Sequence, residues 1–406
     1  MTKEIRTDVA CIGGGPASAF AAMEILKSGK FSVEIFEEHE EIGVPVNCAG
    51  LISVSGFKKL KIKVPKDSIQ HKVKGSIFYS PAGHRFEVSR KKVQAYVIDR
   101  AKFDKFLISK VEEMDGKVHL DAKVTSILKK DKQAIGLMVN EHNNQVKVKS
   151  KIIIDGEGVR TKFIQEMRLK PTYRGSLVPV LQYDLKNVDV NEEFVQIYLG
   201  RRIAPGFFGY IIPISDNEAR VAVGSKFGKP ADYLRYFIFK HPIASSKLKN
   251  GTIYKKGGGF VHLGGPIKKT YAAGFMGVGD SVGQVKATTG GGVVFGGLCA
   301  KVAGKIALEA IERDEFSEKS LKKYQTEWQK LYLRELRLMR LLRSILDSVP
   351  DKFLDAVFLS ISRQGIPELI EEIGDMDMQG ALIKRVLLSP RILNIGLSVL
   401  SGIFLH

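Results

Sequence analysis

The chain has 406 residues, 44% of them hydrophobic, which is enough for a large core spread over two or three domains and excludes extended disorder. Its formal net charge is +19, and nearly all of the excess lies in the first 300 residues, where 47 Lys and Arg face 29 Asp and Glu. Three widely spaced cysteines (Cys11, Cys48, Cys299) exclude a disulfide framework or a zinc site; with no apolar signal core near Met1, a reducing cytoplasm is the expected setting.

In chain order, Asp8 to Ile12 reads as a buried strand, followed by a turn, Gly13-Gly14-Gly15-Pro16-Ala17-Ser18. Pro16 to Ser28 then reads as a helix, and Phe31 to Phe36 as a second strand ending at Glu37. Gly13 suits a tight turn, and Gly15 lets backbone approach phosphate oxygens at a helix start, where N–H groups and the helix dipole favour an anion. Ser18 stands where the usual pattern has a third glycine. Glu37 is placed to accept hydrogen bonds from ribose hydroxyls, so strand, turn, helix and acid together imply a dinucleotide.

A basic stretch follows: Lys58, Lys59, Lys61, Lys63, Lys66, Lys72, Lys74 and then Arg90-Lys91-Lys92. It suits an anionic lipid surface, a phosphorylated substrate or nucleic acid, and equally a plain solvated face. Strand-like alternation around residues 75–86 leads to a helix over Asp99 to Met114, with Phe103, Phe106, Leu107 and Val111 on one face. Val118–Leu128, Ala134–Asn140 and Val146–Ile154 read as a β-meander ending at Asp155-Gly156, and Leu177 to Tyr254 as strand-like runs of a sheet covering a ligand.

Tyr271 to Val278 supplies one more strand before Gly279-Asp280, then Gly290-Gly291-Gly292 opens a helix to Ile311. Asp280 offers a carboxylate to a ribityl hydroxyl, and the glycines let backbone pass close to a flavin ring. A nicotinamide enzyme needs only the first glycine stretch, whereas a flavin dinucleotide uses both, so the cofactor expected is FAD. Leu321 to Leu346 is long and amphipathic, Pro350 interrupts it, and Ile392 to Leu405 reads as a packed or membrane-surface helix too short to span a bilayer.

These motifs, taken together, resemble the geranylgeranyl reductase family of flavoproteins, particularly the archaeal digeranylgeranylglycerophospholipid reductases of the para-hydroxybenzoate hydroxylase fold class. The resemblance covers roughly residues 5–310 and adds Ile42-Gly43-Val44-Pro45-Val46-Asn47-Cys48-Ala49-Gly50, Asp99-Arg100 with Phe103-Asp104, and Pro205-Gly206-Phe207-Phe208-Gly209-Tyr210-Ile211-Ile212-Pro213. It departs in a shortened Cys-Ala-Gly loop and in Phe208, Tyr210 and Ile212 at the three characteristic aromatic positions. It implies FAD contacts at Ser18, Glu37, Cys48, Ala49, Gly50, Arg100, Val124, Asp280, Gly292 and Val293, beside Gly13, Gly15, Ala17, Gly290 and Gly291 of the glycine motifs. Cys48 is then expected near the reactive ring, with Phe207, Phe208 and Tyr210 walling an apolar tunnel and Cys48, Tyr210 and Phe208 as the catalytic set.

The implied fold is α/β: a Rossmann-type FAD domain (1–74, 95–165, 268–312), an inserted antiparallel-sheet substrate domain (75–94, 166–267) and a C-terminal helical region (313–406). The expected activity is saturation of geranylgeranyl double bonds in isoprenoid lipids, with NAD(P)H or reduced ferredoxin as donor and a possible peripheral contact with the membrane. An aromatic monooxygenase of the same fold is the alternative. A flavin-containing nucleic-acid-binding protein is the third, set aside because the basic runs lack interleaved aromatics. The eight histidines show no ligand spacing, and no metal is expected.

Overall fold

The computed structural model describes residues 3–171, 174–363 and 365–387. The helix expected over Ile392 to Leu405 lies outside the described residues. The chain opens with β1 (Lys3–Ile12), α1 (Pro16–Leu26) and β2 (Val33–Phe36). Val9, Ala10 and Cys11 have no exposed surface because β1 is central, parallel to β2 on one side and to a later strand on the other. Pro16 starts α1, where a missing N–H costs nothing.

Next come β3 (Leu51–Ser53), α2 (Val54–Leu60), β4 (Ile69–Val73), β5 (Gly75–Tyr79), β6 (Arg85–Ser89) and β7 (Ala95–Ile98). The strand-like alternation around 75–86 is the β5–β6 hairpin, with Phe78 and Phe86 stacked 4.8 Å apart across it. Then α3 (Arg100–Glu112) begins at Asp99, whose carboxylate accepts from Ala101 N and Lys102 N, and buries Phe103, Leu107 and Val111.

The meander is β8 (Lys117–His119), β9 (Ala122–Lys130), β10 (Gln133–Glu141) and β11 (Asn144–Asp155). Its first run, expected to be continuous, breaks at Asp121, whose positive φ of 47° releases β8 to pair parallel with β2. After a short α4 (Lys162–Glu166) come β12 (Leu177–Lys186), β13 (Phe194–Tyr198), β14 (Gly209–Ser215) and β15 (Glu218–Gly224). Two helices, α5 (Pro230–Phe239) and α6 (Ala244–Leu248), interrupt what reads as strand before β16 (Thr252–His262). The expected strand over Tyr271 to Val278 is a tight hairpin, β17 (Tyr271–Ala272) and β18 (Phe275–Gly277), turned at Gly274. Helices α7 (Val293–Glu312), α8 (Glu318–Trp328), α9 (Arg334–Ser348), α10 (Asp351–Arg363), α11 (Ile366–Ile373) and α12 (Gly380–Leu387) follow.

Three sheets result. One runs β17-β18-β11-β1-β2-β8 with β10 and β9 continuing from β11; a second runs β16-β12-β15-β14-β13-β5-β6; a small third is β3-β7-β4. Against the first sheet, α1 and α7 pack closely because a Cβ at Gly304 would lie 2.5 Å from the Ala21 carbonyl oxygen. The buried face of α8 then closes this core: Tyr324 donates to the Gly277 carbonyl (2.8 Å) and Trp328 Nε1 to Thr270 Oγ1 (3.2 Å).

Candidate active site

The two glycine-rich stretches meet. A Cβ on Gly279, whose φ of +69° favours glycine, would sit 3.0 Å from Ala17 Cβ, and Gly296 of α7 backs onto the same turn. Gly13, at φ +83°, crosses Gly156 so closely that a Cβ would lie 2.9 Å from its carbonyl oxygen. Gly15 has nothing within 4 Å of such an atom and faces open space. Glu37 is fixed at the end of β2, accepting from Gly14 N (2.6 Å) and His39 N (3.0 Å). Ser18 is fully buried and donates to the Ile12 carbonyl (3.2 Å), so its hydroxyl lies on the packing side of α1, against Gly156.

On the far side of the turn, Gly292 caps α7 without room for a side chain: a Cβ would lie 2.4 Å from Asp280 Oδ1. Gly290 takes φ +74° beside Val261, Gly291 lies against Lys286, and half-buried Val293 begins the helix. Burial pushes the Asp280 carboxyl up to about 6, against the pull of the Arg100 charge. Arg100 itself forks onto Asp104 with bonds of 3.0 and 2.9 Å. Its burial opposes the charge, but Asp104 and the Cys48 sulfur outweigh that and hold the guanidinium protonated beyond its usual range. Val124 is buried within β9 opposite Val139.

Cys48 stands where the two layers meet. Its sulfur lies near enough to Arg100 on the glycine side to favour the charged guanidinium, and accepts from Gly50 N at 3.5 Å. Gly50 needs its φ of +72°, since a Cβ would lie 2.3 Å from the Ile98 carbonyl oxygen. Beyond Cys48 is the second sheet, where Phe207 and Phe208 (centroids 4.1 Å apart) and Tyr210 form one apolar cluster with Val97, Val195 and Leu263. Tyr210 donates to Gln182 Oε1 (3.1 Å), and its hydroxyl is pushed well above the usual range by burial and then by the Cys48 sulfur.

The sequence reading missed Arg220 and Asp184. Both are buried in β15 and β12 and form a two-pronged pair (2.9 and 3.0 Å), while Arg220 Nη1 donates to the Ala49 carbonyl (2.8 Å). A lone arginine inside Ala219-Arg220-Val221-Ala222-Val223 was the available signal, because a charge in a buried strand requires a partner.

The site fits a flavin dinucleotide. Both helices that begin here, α1 and α7, are capped by glycine with no side-chain cap bond and no acid in the first turn. Such helix starts leave N–H groups for an anionic ligand. A cleft of about 1030 Å³ lined by Lys132, Arg168, Lys170, Lys268 and Arg340 shares no residue with this constellation.

The fold is shared with a flavin-dependent brominase, Bmp2, at a TM-score of 0.73 and 15% identity over 94% of this chain and 98% of that one. It is shared more closely with a geranylgeranyl bacteriochlorophyll reductase-like protein of Thermoplasma acidophilum, at a TM-score of 0.85 and 26% identity over 95% and 97% of the two chains. The architecture is therefore that of the flavin-dependent oxidoreductases and halogenases. The family described as lycopene cyclase protein matches residues 8–365. A digeranylgeranylglycerophospholipid reductase of Methanocaldococcus jannaschii is 30% identical over 86% of this chain and 89% of its own length. Digeranylgeranylglycerophospholipid reductase 2 of Methanopyrus kandleri is 28% identical over 90% and 92%. The chain belongs to the geranylgeranyl reductase family of flavoproteins.

Proposed function

We propose that the protein is an FAD-dependent reductase that saturates carbon–carbon double bonds of geranylgeranyl chains in isoprenoid lipids. The observation that carries this is the convergence of both glycine stretches on one side of Cys48 and of a buried aromatic cluster on the other. FAD, when bound and reduced, supplies the hydride; the second alkene carbon needs a proton. The three-segment domain division set out from the sequence belongs to this reading.

In this reading Gly13, Gly15 and Ala17 receive the pyrophosphate, Glu37 and Asp280 hold sugar and ribityl hydroxyls, and the backbone of Ala49, Gly50 and Gly290 to Val293 borders the ring. An isolated alkene has little polarity for a side chain to grip, so Phe207, Phe208 and Tyr210 act by orienting it and excluding water. Tyr210 keeps its proton, which is already committed to Gln182. Cys48 Sγ, between the two layers, is the group placed to pass a proton inward. NAD(P)H or a reduced ferredoxin is the donor. The lysines of α2 and β4 suit a phosphate headgroup at a membrane surface, although among the described residues no helix is long and apolar enough to cross a bilayer.

The test is anaerobic incubation of the purified yellow protein with geranylgeranyl lipids and a reductant. Products heavier by pairs of hydrogens are expected by mass spectrometry. Substrate-stimulated oxygen uptake with an oxygen atom inserted would sink this reading and make the protein a hydroxylase. Cys48→Ala is expected to retain flavin and slow single-turnover reduction about tenfold or more; an unchanged rate would return Cys48 to a packing role.

A further inference from the structure

The short segment between α11 and α12, Gly374 to Gln379, reaches back to α2, the second glycine loop and the apolar cluster. Asp377 is fully buried, and its Oδ1 meets Lys286 Nζ at 2.7 Å, while Ser53 Oγ donates to the other carboxylate oxygen. Lys286 also donates to the Met376 carbonyl (3.1 Å), and Thr288 Oγ1 to Gln379 Oε1 (2.8 Å). Lys286 and Thr288 lie inside the loop that runs from Asp280 to Gly292. From the other side, Lys59 pairs with Asp375 (2.5 Å), and Arg90 donates to the Gly374 carbonyl (2.7 Å). Space for the Asp377 carboxylate comes from Gly56, where a Cβ would lie 2.8 Å from Oδ2. Between these anchors Met376 projects onto the apolar cluster of Phe207, Phe208 and Tyr210.

We propose that Gly374–Gln379 is a clamp that fixes the cofactor loop through Asp377, and that Met376, held by it, determines which prenyl chain length the apolar wall accepts. This rests on the reading of the site as a flavin-dependent prenyl reductase. A buried lysine with one carboxylate partner has few alternative arrangements, so the pair specifies loop position. Methionine is unbranched and fills irregular gaps, which suits a wall that follows a methyl-branched chain. Asp377 is a positioning residue: it acts through Lys286. Met376 is the member of the segment that touches substrate.

The test has two arms. Asp377→Asn and Lys286→Met are titrated with FAD by fluorescence, alone and combined. Each single variant is expected to weaken binding about tenfold, and the double variant no further, because both break one pair. Unchanged affinity in the singles, or additive losses in the double, would overturn the clamp. Gln379→Ala removes the bond from Thr288 and the bond from Gln379 Nε2 to the Met376 carbonyl while leaving the Lys286–Asp377 pair in place, and its weaker FAD binding keeps the clamp testable if Asp377→Asn does not fold.

In the second arm, Met376→Ala is compared with wild type on lipids carrying twenty-carbon and fifteen-carbon prenyl chains. The ratio of kcat/KM between them is expected to move about fivefold with FAD affinity unchanged. An unmoved ratio makes Met376 packing only. Wild type that binds no FAD, or reduces neither lipid, overturns the underlying functional reading instead.

Discussion

The two glycine-rich stretches reach one site by opposite means. The first is tied mainly by its neighbours in sequence: β1 delivers it, Pro16 starts the helix behind it, and Glu37 bonds it from the next strand, with Gly156 and Gly279 packing on it from farther along. The second has local supports too, but its side-chain anchors come from far along the chain. Its Gly283 packs on the Gly265 carbonyl, its Gly290 on Val261, its Lys286 on Asp377, and Gln284 bonds Tyr324 of α8. The difference teaches that half of the site folds with its own βα unit, while the other half waits for the C-terminal helices. A remote lesion should therefore damage the second loop more than a local one damages the first.

The largest expected effect is Lys286→Met. It strands a fully buried carboxylate, so the flavin-free protein should lose about 3–5 kcal/mol in urea unfolding. A loss below about 1 kcal/mol would mean the pair is no more than a surface contact, and the contrast between the loops would fail. Gly13→Ala should cost less, about 2–3 kcal/mol, from a positive φ and the close Gly156 carbonyl. Amide exchange at Lys286 to Gly292, the part of the second loop anchored on Asp377 and Gln379, should stay as in wild type; faster exchange there would show that the two loops are not independent. Glu37→Ala is milder again. It should cost about 1 kcal/mol of stability through the lost bonds from Gly14 N and His39 N and weaken FAD binding about tenfold; full flavin content after purification would remove its proposed ribose role.

Legibility in the sequence follows the same division. The first turn was readable because its strand, glycines, Pro16 and Glu37 lie within 30 residues, and the helical run of α8 and α9 was readable because apolar spacing survives over many turns. The presence of the second loop was readable from its glycines, but not its support, because Lys286 and Asp377 are 91 positions apart and neither has a local signature. Helices α5 and α6 were hidden in a stretch of β-prone residues, although Pro230 at the first position of α5 marked a start. The Asp121 break was hidden because a positive φ at a single aspartate leaves no pattern to detect. Ser18 was readable as a glycine replacement but not as a buried donor to Ile12, since which side of α1 it takes is decided by Gly156.

The smallest expected effect probes the electrostatics of the second loop. Burial raises the Asp280 carboxyl from an ordinary 3.8 to about 6, so the folded chain holds that proton more tightly than the unfolded chain does. A group raised in this way contributes stability that is complete below the unfolded value and is lost as pH rises through the folded one. Asp280→Asn removes the charge and keeps the shape. In the flavin-free protein, variant and wild type should match near pH 3.5, and the variant should become about 1 kcal/mol more stable by pH 7, the half-open site discounting the full shift. FAD binding should move the other way and weaken, because the carboxylate that strains the empty fold is the one proposed to hold the ribityl chain. A stability difference that stays flat between pH 4 and 7 would show that Asp280 is well solvated. The second loop would then hold its carboxylate without strain, as the first holds Glu37 through backbone N–H groups.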